Sequence, residues 1–420
     1  MKMLLTLLLL LAPTLRAQDT IVFILDDVGE IDLEELMADG RCPNIKRVAD
    51  YGIKFTNAKA SPTCMPTRYA IDFGGWRVAP TDKVCYIPTN RTPPSSLISL
   101  ADLVSPVGVS PGFFGKWHEG ANPNSLNDWQ RAPGEHGYSV YRGVIPGGNV
   151  TTCGGTSYWD WVRVEDGVQS TSNKYQPTVM FTRWYYWWTS TPGPKLAVYS
   201  AQLAHDPFHR PDALWLPNGY PDTPTDRDKY EAMIVALDTQ VGAMLPLLTP
   251  DDLLIIIGDN GTPRDVAGTQ RAKTTTFWRG IDVPLIVAGA GIPSGQTSPA
   301  LVHAVDIYAT IAERYGRTVP LSSPSMSLMP LALGQAQQIH SYVVCGTRGD
   351  NPLPADIAAV SPRYKFRRTG TPTSVPSVQE WFFDTVSDPL ELVDLIDSTD
   401  PSIQYEIELH RAWLNSIFPP

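Results

Sequence analysis

The chain has 420 residues, 43% of them hydrophobic and 18% charged. That length and core-forming content suit one large α/β unit with a smaller companion and exclude a disordered chain. A formal net charge of -10 without any lysine or arginine run excludes a nucleic-acid backbone as partner, leaving small molecules and neutral polymers open.

At the N-terminus, Lys2 precedes an apolar run from Met3 to Ala12, and Leu15-Arg16-Ala17 offers a small residue for cleavage before Gln18. The run is too short to span a bilayer, so residues 1–17 read as a secretory signal, with an uncleaved anchor as the alternative. No later stretch is apolar enough for stable membrane insertion, and the mature protein is expected to be secreted or periplasmic. Export permits disulfides. The cysteines are Cys42, Cys64, Cys85, Cys153 and Cys345; with Cys64 set aside, the others leave three pairings open.

Ile21 to Leu25 is a continuous apolar run that stops at Asp26-Asp27, the pattern of a strand buried on both faces of a parallel sheet. Taken alone, the two aspartates would be a solvated turn or a helix N-cap. Next comes Ser61 to Gly75, containing Cys64-Met65-Pro66-Thr67-Arg68. This cysteine lacks the second nearby thiolate of a zinc site. Tyr69 to Phe73 is predicted to form a first helical turn, which puts Cys64 at a helix N-terminus where unpaired amides favour an anion. Arg68 adds a fixed cationic fork.

Phe113-Phe114 then leads into Gly115-Lys116-Trp117-His118. The glycine- and aromatic-rich region 122–194 contains Trp184-Tyr185-Tyr186-Trp187-Trp188, read as packing residues, with a substrate cleft as the alternative. A predicted strand at Leu196 to Ala201 leads to His205. Met233, Leu237, Val241, Met244, Leu245 and Leu248 keep helical spacing ahead of a further strand, Leu253 to Ile257, which runs into Gly258-Asp259-Asn260-Gly261. The acidic strand end thus recurs. In an open α/β sheet ligands bind at the carboxyl edge of the strands, so Asp26, Asp27, Asp259 and Asn260 are expected to converge. Such oxygen ligands suit calcium or magnesium; without a metal, the cluster is expected to repel itself.

Lys273 follows, before an apolar run at Leu285 to Ala288. Singly, each of these lysines and histidines reads as structural or solvated. Past Gly334 the pattern changes to short strand-like pieces, Ser341 to Cys345, Tyr364 to Arg368 and Glu380 to Phe383, closed by a predicted helix at Ile403 to Ile417.

Together these residues resemble the formylglycine-dependent sulfatases of the alkaline phosphatase superfamily. The similarity runs in order through Asp26-Asp27, the Cys64-to-Arg68 motif with Gly74 after it, Lys116 and His118, His205, Asp259-Asn260-Gly261 and Lys273. It implies an alkaline phosphatase-like α/β fold: a central mixed, mostly parallel sheet flanked by helices over residues 18–334, and a smaller C-terminal antiparallel-sheet subdomain over 335–420. It also implies that a separate maturation enzyme oxidises Cys64 to formylglycine. Asp26, Asp27, Asp259, Asn260 and the modified Cys64 would bind calcium, with magnesium the lesser choice.

In the implied reaction, hydrolysis of a small-molecule or glycan sulfate ester, Arg68, Lys116 and Lys273 neutralise the sulfuryl oxygens. His205, assisted by Lys273, protonates the leaving oxygen, and His118 deprotonates the second hydroxyl of the aldehyde hydrate. One alternative is a phosphonate monoester or phosphodiester hydrolase with the same nucleophile. Another is a catalytically silent binder of sulfated glycans, which would have no need of Cys64 or both histidines. The chain departs from the family at Phe73, where threonine is usual, at Glu119, where an apolar residue is commoner, and at Ala309, where proline is usual.

Overall fold

The computed structural model describes residues 18–76, 96–119, 126–144, 157–347, 355–370 and 378–418. The predicted signal segment, Cys85 and Cys153 lie outside them. Ten strands form one mixed sheet, in the order Gln296–Ser298, Gly52–Phe55, Leu285–Gly289, Leu253–Gly258, Thr20–Leu25, Lys195–Ser200, Ser110–Lys116, Val140–Val144, Trp161–Glu165 and Val168–Ser172. The strands from Leu253–Gly258 through Val140–Val144 run parallel, whereas Leu285–Gly289 is antiparallel to both its neighbours.

The continuous apolar runs follow from the pleat. Ile21, Phe23 and Leu25 enter one core, while Val22 and Ile24 enter another. Leu254 and Ile256 divide from Leu253, Ile255 and Ile257 in the same way, as a strand covered on both faces requires. Helices Gln176–Ser190 and Asp226–Met244 contribute to the first core, and Cys64–Phe73 and Asp306–Arg314 to the second. Helix Asp226–Met244 opens with a capping box: the Thr225 hydroxyl accepts from the Asp228 N–H, and the Asp228 carboxylate accepts from the Thr225 N–H. The aromatic run at 184–188 lies on one helix, where Trp184 and Trp188 stack at 5.6 Å in the core and Tyr186 faces outward.

A second, four-stranded antiparallel sheet comprises Val343–Thr347, Ala355–Val360, Tyr364–Gly370 and Gln379–Asp384. Val344, Ile357, Ala359, Phe366 and Phe382 pack against Ile407 and Leu414 of helix Pro401–Ile417. The sequence reading lacks the strand Ala355–Val360. Its alanine-rich sequence has a weak strand signal, and pairing on both sides supplies what propensity does not.

Cys42 and Cys345 are buried free thiols, which removes each of the three expected pairings, since every one uses Cys42. The two sit in different clusters, Cys42 among the helices on one face of the large sheet and Cys345 among Ile281, Leu301 and Ala358. Among the described residues, no helix is long and apolar enough to cross a membrane.

Candidate active site

Strand register brings the distant motifs together. Leu25 pairs with Gly258, Ile24 with Ser200, and Ser200 with Gly115. Asp26 and Asp259 therefore leave neighbouring strands, and Lys116 ends the strand beyond Lys195–Ser200, all at the same carboxyl edge. Asp27 adopts a left-handed conformation, φ 62°, uncommon for a residue with a side chain, and its N–H donates to Asp259 Oδ1 at 3.0 Å. Cys64 is the first residue of helix Cys64–Phe73, so that helix begins ahead of the predicted turn. Pro66 is compatible with this start because a first-turn residue has no intrahelical N–H bond to lose. The helix stops at Gly74, whose φ of 63° and close approach to the Tyr308 ring leave no room for a β-carbon.

Cys64 Sγ lies 3.6 Å from Asp26 Oδ1 and 3.7 Å from Asp27 Oδ1. One ligand atom from each of Asp26, Asp27, Cys64 and Asp259 falls within 4.8 Å of the others. Asn260 donates through Nδ2 to Asp27 Oδ1 at 2.9 Å, and its buried Oδ1 has no hydrogen-bond partner among the described residues. Leaving a buried acceptor unmet costs free energy that a cation would recover. These five residues therefore fit a divalent cation.

The carboxylates do not repel one another unopposed, contrary to the expectation for a metal-free cluster. Lys116 Nζ lies 2.7 Å from Asp26 Oδ2, and Lys273 Nζ lies 2.5 and 2.6 Å from the two Asp27 oxygens. Arg68 Nε donates to Asp259 Oδ2 at 2.9 Å. Each acid thus has its own cation. Burial would raise the Asp26 and Asp27 carboxyls, but Lys116 and Arg68 on the first, and Lys273 on the second, outweigh it and hold both below the usual range. At Asp259, burial and the neighbouring Asp26 win over Arg68 and push the carboxyl up to about 6.

His205 Nδ1 is 2.9 Å from Asp206 Oδ1 and 3.0 Å from Asp206 O, and its Nε2 is 3.9 Å from Asp27 Oδ2. Burial opposes the charged ring, yet Asp27 prevails and raises its pKa to about 10. His118, at φ 47°, has a buried Nδ1 without a hydrogen-bond partner among the described residues. Burial first, then Lys116 and Arg68, holds its pKa well below the ordinary value. A neutral imidazole beside a charged one gives the site a proton acceptor and a proton donor.

All the expected residues thus gather at one edge of the large sheet. Sequence reading missed Ser200, whose hydroxyl accepts from Arg68, although its place at the end of a strand was a usable signal. It also missed Asp206 as a partner of His205, and Tyr230, whose hydroxyl donates to Asp27 O at 2.9 Å from a helix with no motif.

A family model described as Sulfatase matches residues 18–316. The chain is 26% identical over 316 residues to an arylsulfatase of Hemicentrotus pulcherrimus, covering 66% of this chain and 54% of that protein. It is 22% identical over 440 residues to an N-acetylgalactosamine-6-O-sulfatase of Bacteroides thetaiotaomicron, covering 85% and 83%. The match spans about half the length of that arylsulfatase, 54%, and of arylsulfatase J of Mus musculus, 52%. A solved structure of BT4656 in complex with D-glucosamine-2-N,6-O-disulfate superposes with a TM-score of 0.75 at 15% identity, over 95% of this chain and 98% of that one. The fold, with its mixed central sheet, flanking helices and small C-terminal antiparallel sheet, is shared with that structure. The match across residues 18–316 places this chain in the sulfatase family.

Proposed function

We propose that the protein hydrolyses sulfate monoesters, using formylglycine made from Cys64 by a separate maturation enzyme. The observation that supports this most is the position of Cys64 Sγ, at a helix start and within hydrogen-bonding range of Asp26 and Asp27. Sγ marks where the oxygens of the hydrated aldehyde would stand. Asp26, Asp27, Asp259, Asn260 and the modified residue would hold the cation, calcium in preference to magnesium because oxygen ligands of several kinds suit its flexible coordination. When bound, that cation would supply positive charge that polarises the sulfuryl group.

Arg68, Lys116 and Lys273 would bind the sulfuryl oxygens and offset the charge that repels a nucleophile. One hydroxyl of the hydrate, giving its proton to the Asp259 carboxylate of the same cluster, forms an O–S bond as the bond from sulfur to the ester oxygen breaks. His205 Nε2 gives the departing oxygen its proton, and the alcohol or phenol leaves. His118 then takes the proton of the second hydroxyl, the aldehyde C=O re-forms, and the C–O bond to sulfate breaks to release it. Water rehydrates the aldehyde. A thiol or a serine has no second hydroxyl for this last elimination.

Glycan sulfates are the substrate class we favour, since proteins of similar fold include one solved with a sulfated glucosamine. We further propose a catalytic unit at residues 18–334, a C-terminal subdomain at 335–420, and a secreted or periplasmic location. The phosphorus-ester reading is tested by assaying matched aryl sulfates, phosphonates and phosphodiesters with protein of verified modification. The proposal expects higher catalytic efficiency on the sulfate; higher efficiency on a phosphorus ester overturns it.

A further inference from the structure

We propose that Tyr158 is a positioning residue that aims the His205 ring at the departing oxygen; this rests on the leaving-group role proposed above for His205. The Tyr158 hydroxyl lies between two backbone carbonyls and shares its one proton between them, with Gln202 O at 2.6 Å and His205 O at 2.8 Å. Only 1% of the residue is exposed, and burial keeps the phenol un-ionised, so it remains a donor. Its ring packs on His209 with centroids 4.3 Å apart.

His209 holds the same segment at a further point. Its Nδ1 lies 2.9 Å from Pro207 O, and a carbonyl only accepts, so Nδ1 carries the ring proton. Nε2 is then the acceptor for the Tyr175 hydroxyl at 2.8 Å. Trp159 stacks on Tyr175 at 4.7 Å and completes an aromatic cluster behind the loop. The carbonyls of Gln202, His205 and Pro207 are thus fixed from this cluster, while the His205 ring projects toward Asp27. Holding the His205 carbonyl fixes the direction in which its side chain leaves the backbone, and the Asp206 carboxylate at Nδ1 fixes how the ring is turned. Proton delivery depends on that aim, because the donor must come within hydrogen-bond reach of the oxygen it serves.

Tyr158→Phe removes one oxygen and keeps the ring. Turnover is measured with the full chain, verified as modified, on aryl sulfates whose phenols range from strongly to weakly acidic. The expected result is a loss of about tenfold or more in kcat for the weakly acidic phenols, less than about twofold for the most acidic, and little change in KM. A general loosening of the site would lower both alike, so equal losses, or none, overturn the proposal. If Tyr158→Phe does not fold, Tyr175→Phe takes its place, removing the donor to His209. The same graded pattern, smaller in size, is expected, and a uniform loss or no loss overturns the inference. Should the wild-type protein prefer phosphorus esters, the sulfatase reading fails, but the same leaving-group series on those esters still decides the role of Tyr158.

Discussion

Lys116 Nζ lies 2.7 Å from Asp26 Oδ2, with both side chains fully buried. The lysine therefore occupies the carboxylate that a cation would use. At an effective dielectric of about 20, unit charges 4 Å apart interact by about 4 kcal/mol. Lys116→Met is thus expected to bind calcium on the order of tenfold or more tightly by calorimetry, while losing turnover because a sulfuryl-binding charge is gone. Chelation of the wild type should abolish activity and added calcium or magnesium should restore it. Weaker calcium binding by the variant, or turnover that survives exhaustive chelation, would contradict the metal site.

Cys64→Ala should fold and lose turnover, since nothing replaces the aldehyde hydrate. Cys64→Ser should at best be trapped after one transfer, because its single hydroxyl cannot eliminate sulfate. Burst kinetics with a chromogenic sulfate distinguish the two. Sustained multiple turnover by either variant would remove formylglycine from the mechanism.

His205→Ala should lose on the order of a hundredfold or more on esters of weakly acidic alcohols, within the usual range for general acid catalysis. Esters of acidic phenols should suffer far less, because their oxygens leave without a proton. Comparing the slopes of log kcat against phenol acidity for wild type and variant checks this; identical slopes would take the role away from His205.

The Glu119 departure has a structural account. Its carboxyl hydrogen-bonds the buried Asp72 carboxyl, which also accepts from the Tyr138 hydroxyl at 2.5 Å and the Leu100 N–H at 3.2 Å. Burial pushes Asp72 up to about 6 despite these bonds. A raised carboxyl pKa favours the folded state in acid: the contribution is complete below about pH 4 and is lost as pH rises through about 6. Asp72→Asn imitates the protonated acid, so it should gain on the order of 3 kcal/mol on wild type between about pH 4 and 8. Denaturant midpoints at both pH values check this, and parallel pH dependence in the two proteins would rule it out.

The site was legible because its chemistry sits where strands end. Continuous apolar runs at Ile21 to Leu25 and Leu253 to Ile257 marked fully buried strands, and the acids after them could only emerge at one edge. Phe73, the other departure near the nucleophile, packs against the Tyr69 and His136 rings at 4.9 and 5.0 Å. What stayed hidden was tertiary. Lys116, Lys273 and Arg68 neutralise the acids through contacts 90 to 246 residues apart, and no local pattern announces which cation meets which carboxylate. Tyr158 and Tyr230 serve the site through hydroxyls that reach backbone carbonyls, a role any buried tyrosine could fill. The strand Ala355–Val360 exists because two neighbours pair with it, not because its residues favour it.

The central claim is that Cys64 acts as formylglycine, and mass spectrometry of the peptide containing it, paired with sulfatase assays on the same preparations, tests this most directly. Preparations made with and without a formylglycine-generating enzyme should differ in the fraction of Cys64 converted from thiol to aldehyde. Sulfate release per molecule should rise in proportion to that fraction and vanish where only the thiol is found. Full turnover by protein whose Cys64 is entirely unmodified would contradict the account.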